Sequence, residues 1–386
     1  MKRLATVICL ITFLASLAFA TGEKVYMVNV YPGSDIYTLE GHSAIWVQTP
    51  GESLAYNYGV FDFNSPNFVY RFVKGETDYL LLAYPFALFM NEYQKEGRRV
   101  VAHELNLDSL QTHRLIGLLH ENALPQNRTY RYNYVKDNCA TRPLRMVELA
   151  VGDTITFGPA PFEAQSFPKY TFRNVMRHYH ANYPWYQFGI DLALGSGIDY
   201  EIPRREFAFA PVEMDGMLQA ATIQGKPLVK DTNVLLNIPP QAAVQGPTPW
   251  YLTPLAASWA FLILVIALSW IGLVKHRRFR GFDAVFFTVL GLTGCLLTFL
   301  IFVSVHEATS PNWLYIWLNP LWLAVPVILW IPKAKKAVRI YFTIASAVML
   351  LFMLCWPMIP QSANPAFFPL MAATLLRCLS EANPKF

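Results

Sequence analysis

The sequence predicts an exported α+β domain followed by an all-α transmembrane domain of four or five helices. Three observations predict this. The first 20 residues read as a secretory leader, the stretch after them mixes period-two and helical apolar patterns with turn residues, and everything after residue 250 is apolar runs broken by short basic loops. Of the 386 residues 54% are hydrophobic and only 15% charged, against about 25% charged in an ordinary soluble domain. That balance argues against a single soluble enzyme, a disordered chain or a nucleic-acid binder. The net charge of +5 comes from basic residues clustered beside membrane spans, where they report topology rather than an anionic partner.

In the leader (1–20), Lys2 and Arg3 form the charged start, Leu4 to Leu17 is apolar, and Ala18-Phe19-Ala20 fits the small-residue cleavage pattern. Thr21 is the expected mature start. An uncleaved anchor helix is the alternative. The exported domain is expected over 21–236, a linker rich in Pro, Gln and Ala over 237–249, and the membrane domain over 250–386.

Spans are expected at about 251–274, 283–305, 313–331 and 340–356. A fifth, 365–379, is short for a bilayer that needs roughly 20 residues. The loops 275–280 and 333–339 carry four Lys or Arg each, and 306–312 and 358–364 carry none. The positive-inside rule puts the basic loops in the cytoplasm and the exported domain outside.

Within the exported domain, 25–31 and 41–48 read as strands, Thr49-Pro50-Gly51-Glu52 as a turn and 54–63 as the return strand. Pro85 to Glu96 reads as a helix and 98–107 as an alternating strand. Asp108 caps a helix to about Asn122. Tyr130, Tyr132 and Tyr134 alternate along a strand. Asp137-Asn138 breaks it, and Cys139 opens a helix that Gly152 ends, with Pro143 tolerated in its first turn.

Between Thr21 and Pro249 there is one cysteine, Cys139, so this region has no disulfide of its own. A lone thiol in an oxidising compartment is liable to oxidation, and chemistry is one reason to keep it. Packing as a small buried hydrophobe is the other. At a helix N-terminus the dipole and the unpaired N–H groups favour the thiolate. A nearby imidazole would supply a base and then an acid. His42, in Gly41-His42-Ser43-Ala44-Ile45-Trp46, is the candidate.

If the strands on either side of Gly51 pair about that residue, Val60 lies near His42. Tyr58 and Asp62 then share its face and compete to orient the imidazole, while Asn57 lies on the other face. A one-residue register change swaps the faces. The backbone N–H of Cys139 and the side chain of Asn138 are candidate oxyanion donors, Asn138 also fitting a turn and cap role.

Two segments, "GHSAIWV" and "YNYVKDNCATRPL", resemble the permuted papain-like thiol enzymes, in which the histidine precedes the cysteine; the NlpC and lecithin retinol acyltransferase-like group is similar. The whole chain, through "GHSAIWV", "YNYGVFDF" and "DNCATRPLR", resembles the Lnb-type bacterial lipoprotein N-acyltransferases. The resemblance implies a periplasmic papain-like domain, four or five membrane helices and a cysteine-dependent acyl transfer without a cofactor. The acyl chain would pass through a Cys139 thioester to the N-terminal cysteine amine of a lipoprotein. The donor would be a phospholipid or the lipoprotein's own acyl chain. A membrane-anchored cysteine peptidase or amidase acting on cell-wall peptides is the alternative, although it would need only one anchor.

The other histidines read as structural. His103 is expected to be a satisfied core residue. No Cys, Asp or Glu cluster gives His178 and His180 metal-ligand spacing, so no metal is expected. His306 and Glu307, in a loop between two spans, are candidates for a lipid or substrate route, or an ordinary polar loop.

Overall fold

The structure, a computed structural model, describes residues 22–62, 64–239 and 244–383. The leader and its cleavage site lie outside the described residues. The chain divides into two compact units, and the division is not a single cut. Among the described residues, one unit holds 22–68, Glu76–Pro168 and 202–245; the other holds Val69–Gly75, Lys169–Glu201 and 246–383.

The first unit is built on an antiparallel sheet. Its strands, in chain order, are β1 (Lys24–Val30), β2 (His42–Gln48), β3 (Ser53–Val60), β4 (Asp78–Pro85), β5 (Val100–Leu105) and β6 (Thr129–Arg131). Two short strands, β7 (Ile155–Thr156) and β8 (Thr222–Ile223), join β9 (Lys226–Pro227) in a small second sheet, and β10 (Val229–Leu236) returns to the main one. The main order is β10-β5-β1-β2-β3-β4-β6, which puts β1 and β2 at the centre. Their residues are buried on both faces, so period-two alternation is weak there. The β2–β3 hairpin closes through Thr49, whose N–H donates to the Glu52 carbonyl (2.8 Å) and whose Oγ1 accepts from the Glu52 N–H (3.0 Å).

Helices in chain order begin with α1 (Phe68–Lys74), α2 (Phe86–Glu96), α3 (Ser109–Ala123) and α4 (Thr141–Val151). Asp108 caps α3 reciprocally with Gln111, as the D-x-x-Q spacing requires. Helix α2 lays Phe86, Phe89 and Tyr93 on the sheet, against Val28, Val30 and Val100. Helices α5 (Phe172–Tyr179) and α6 (Pro184–Ala193) belong to the second unit, and α7 (Pro211–Gln219) packs on the sheet of the first.

In the second unit three helices are long and apolar enough to cross a membrane: α8 (Pro254–Lys275), α9 (Arg280–Phe302) and, after the four-residue α10 (Val325–Ile328), α11 (Lys335–Cys355). Helix α12 (Phe367–Ala382) has 16 residues and packs against both α8 and α11. The expected span at 313–331 is not one helix. It consists of 3-10 turns at Trp313–Ile316 and Pro320–Ala324 followed by α10. Asn319-Pro320 and Pro326 remove the donors and φ freedom that a continuous helix needs. Gly291 and Gly294 let this irregular backbone lie directly on α9, because a Cβ at either would overlap it. Trp322 Nε1 donates to the Trp317 carbonyl (2.6 Å), replacing a lost backbone bond.

Two buried ionic networks tie this unit together. Arg377 of α12 meets both carboxylate oxygens of Asp283 on α9 at 2.6 and 2.7 Å. Arg173 of α5, fully buried, reaches Asp191 at 3.0 Å and Asp199 at 2.8 Å. Such groups are retained in an apolar setting only when paired.

Candidate active site

His42 begins β2 and Cys139 sits two residues ahead of α4. Gly59, at the end of β3, brings them together. A Cβ on Gly59 would stand 3.0 Å from Cys139 Cβ and 3.9 Å from His42 Cε1, so both side chains border the same small space. Gly59 also has φ +91°, which suits glycine alone.

The third group differs from the expectation. His42 Nε2 lies 2.6 Å from Asn57 Oδ1, and Asn57 Nδ2 donates to the Tyr84 hydroxyl at 2.9 Å. With the amide held that way, Nε2 carries the hydrogen and Nδ1 keeps its lone pair. Among the described residues no hydrogen bond reaches His42 Nδ1.

Tyr58 and Asp62 do not orient His42. Tyr58 is fully buried on the opposite face, and its hydroxyl bonds nothing among the described residues. Asp62 is exposed and accepts from the Asn64 N–H at 2.8 Å. The cause is register. Ala44 pairs with Asn57 and Gln48 with Ser53, one residue away from pairing about Gly51, which moves Asn57 onto the face of His42.

Asn138 is a support residue, with no hydrogen left for an oxyanion. Its Nδ2 donates to the carbonyls of Tyr134 and Phe209, each at 2.8 Å, and its Oδ1 accepts from the N–H groups of Ala140 and Thr141 at 2.9 and 3.0 Å. It thereby caps α4 and fixes the turn that presents Cys139. The backbone N–H groups of Ser43 and Cys139 face the sulfur instead.

Burial pushes the Cys139 thiol up to about 12; the two N–H groups oppose this, and the Glu40 carboxylate adds to it. Burial also pushes the His42 imidazole down to about 4, against the Asn57 hydrogen bond and with help from the Arg98 cation. Desolvation therefore outweighs the N–H groups at the sulfur and favours the neutral form of both thiol and imidazole. The His42 ring stacks on Tyr93 at 6.2 Å, and Arg98 lies over Tyr93 at 5.0 Å.

Tyr79, Tyr130 and Tyr132 lie within electrostatic range of the thiol, Tyr79 stacking on Tyr132 at 4.1 Å. Below β2, Ser43 Oγ donates to Asn29 Oδ1 (2.9 Å), Asn29 Nδ2 to Asp215 (3.3 Å), and Asp215 meets His103 Nε2 at 2.7 Å. This fully buried network makes His103 a satisfied core residue.

In the second unit, His306 Nε2 donates to the Phe72 carbonyl at 2.8 Å, and the Val305 N–H donates to the Lys74 carbonyl at 2.8 Å. His306 thus holds the segment that contains most of α1. Glu307 is exposed and opens a 3-10 turn. Among the described residues no group of three or more His, Cys, Asp or Glu is placed to hold a metal ion.

Asn57 is the residue that sequence reasoning missed. Its signal was the pairing of "GHSAIWV" with "YNYG", readable only with the register in hand.

A thiol in the turn ahead of α4, beside an amide-held imidazole on the sheet, in a chain whose described residues include three membrane-length apolar helices, defines a membrane protein with an extramembrane thiol site. Two family models match: the Lnb N-terminal periplasmic domain over 15–177 and the Lnb transmembrane domain over 247–383. The chain belongs to the Lnb family and is an inner-membrane protein with a periplasmic N-terminal domain. No curated protein and no solved structure matches it.

Proposed function

We propose that this protein is a cysteine-dependent lipoprotein N-acyltransferase whose exported unit is a permuted papain-like thiol domain. The observation that carries the reading is Cys139 beside an imidazole whose far nitrogen is held by an asparagine amide. Cys-His-Asn is a recurring variant of the triad in papain-like enzymes.

Because the resting pair is neutral, the proton moves during attack. His42 Nδ1 takes the Cys139 proton as the sulfur bonds to the ester carbonyl carbon of the donor. The Ser43 and Cys139 N–H groups, beside the sulfur, are the donors nearest to the carbonyl oxygen, on which the negative charge develops. The imidazolium returns the proton to the departing alcohol oxygen, leaving a thioester. The lipoprotein amine then attacks that thioester. His42 accepts the amine proton and passes it to the leaving thiolate, and the amide and the free thiol are the products. Asn57 keeps the ring aimed through both halves. A site anchored to the bilayer meets donor and acceptor at one surface, and such tethering contributes several kcal/mol.

Mass spectrometry of lipoprotein N-termini, from cells carrying the wild-type protein or Cys139→Ala as their sole candidate acyltransferase, tests the reading. The amine is expected to be acylated in the first and free in the second. Acylated N-termini in both would reject it and favour a cell-wall peptidase or amidase.

A further inference from the structure

We propose that a cleft inside the second unit is a binding site for one acyl chain of a bilayer glycerophospholipid. The cleft has a volume of about 390 Å³ and is walled by α6, α8, α9, α12 and the irregular backbone at Trp317 and Leu318, a size within the roughly 300–1,000 Å³ range of ligand pockets. Its inner wall is buried: Leu290, Trp317 and Phe367 are 6%, 2% and 0% exposed. Its mouth is not: Val285 and Val289, on the outer face of α9, are 67% and 55% exposed.

The chemistry of the wall selects the ligand. The polar side-chain atoms that line it are already engaged. Thr293 Oγ1 donates to the Val289 carbonyl at 2.9 Å, and Trp317 Nε1 donates to Thr374 Oγ1 at 3.0 Å. Nothing there recognises a head group, and an apolar cavity of this kind excludes water and takes apolar guests. The α9 wall runs from Phe282 to Thr293, roughly 16 Å at 1.5 Å per residue, a length suited to an extended chain.

The backbone gives an independent indication. Irregular backbone at membrane depth persists only where it is buried or lines a cavity, and here the break in the 313–328 segment places Trp317 and Leu318 in the wall. Because the mouth is continuous with the lipid-facing surface of α9, the occupant is a chain of the surrounding phospholipid. Packed interiors otherwise leave few voids larger than a water molecule.

The test uses the full-length protein in nanodiscs containing a phosphatidylethanolamine with a diazirine midway along one acyl chain. Irradiation is expected to concentrate label on the α9 and Trp317–Leu318 peptides. Val289→Trp, at the exposed mouth where folding is not at stake, is expected to reduce that label at least fivefold, and Leu290→Trp likewise. Label spread evenly over α8, α9 and α11, or undiminished in Val289→Trp, would overturn the proposal. Cys139→Ala is expected to label as wild type, so the cleft is tested separately from the thiol chemistry.

Discussion

Two histidines occupy the same sheet and do different things. His103 on β5 and His42 on β2 are separated by β1, and each meets an oriented polar partner. His103 is fully buried with both ring nitrogens engaged, Nδ1 by Thr232 at 2.9 Å and Nε2 by Asp215 at 2.7 Å. His42 is half-buried, has Nε2 alone engaged, and borders a thiol. An imidazole with both nitrogens committed stabilises a fold; one with a nitrogen in reserve can move a proton. The partner matters as well. An amide orients His42 without adding charge, so burial keeps it neutral.

The sharpest way to break the comparison is to remove each ring in turn. His42→Ala is expected to cut N-acylation by about 10²–10⁴-fold with little change in melting temperature. His103→Ala is expected to remove the shortest hydrogen bond of the buried Asp215 and leave Asn29 and Tyr31 as its partners, costing about 1–3 kcal/mol in denaturant unfolding, with the activity of the folded fraction retained. Reversed outcomes would exchange the roles assigned to the two residues.

Gly59→Ala comes next. Its Cβ would press on Cys139 at 3.0 Å and its φ is strained, so a loss of about 1–3 kcal/mol and of most activity is expected. Gly97→Ala also has positive φ but meets nothing within 4 Å, and should cost only the backbone strain, about 1 kcal/mol.

A pH profile sharpens the role of Asn57. The base must be neutral, and its pKa is lowered to about 4, so kcat/KM should hold as pH falls through 6 and decline only near 4. Asn57→Asp places a carboxylate beside the ring, which favours the imidazolium and moves the acid limb upward. An unmoved limb would mean that His42 is not the titrating base. The smallest effect is expected for Tyr84→Phe, which removes one hydrogen bond to the Asn57 amide, about 1 kcal/mol, with a modest fall in kcat.

Much of this was legible beforehand. The order of strands and helices from Lys24 to Val151 followed from pattern and caps, apart from α1, β4 and the expected strand through Tyr132 and Tyr134: β6 stops at Arg131, and the chain then turns, with only an isolated bridge between Asn133 and Asp137. Strand β4, "DYLLLAYP", gave little warning, because a continuous apolar run lacks alternation. The broken 313–331 segment was hidden for a related reason: hydropathy measures depth in a membrane and says nothing of backbone continuity.

Local chemistry in the sequence by itself determined the periplasmic and membrane character of the two parts, the singular Cys139 ahead of a helix, and His42 as its candidate partner. Short-range rules govern each of those features: apolar length, caps, and the positions of Gly and Pro. The tertiary structure decided which residue holds the imidazole and in which charge state the pair rests. A one-residue difference in the β2–β3 pairing exchanges Asn57 for Tyr58 on the face of His42. The charge state depends on how completely distant segments exclude water from the thiol and the ring. Register and desolvation are properties of pairs of segments, and no single stretch of chain encodes them.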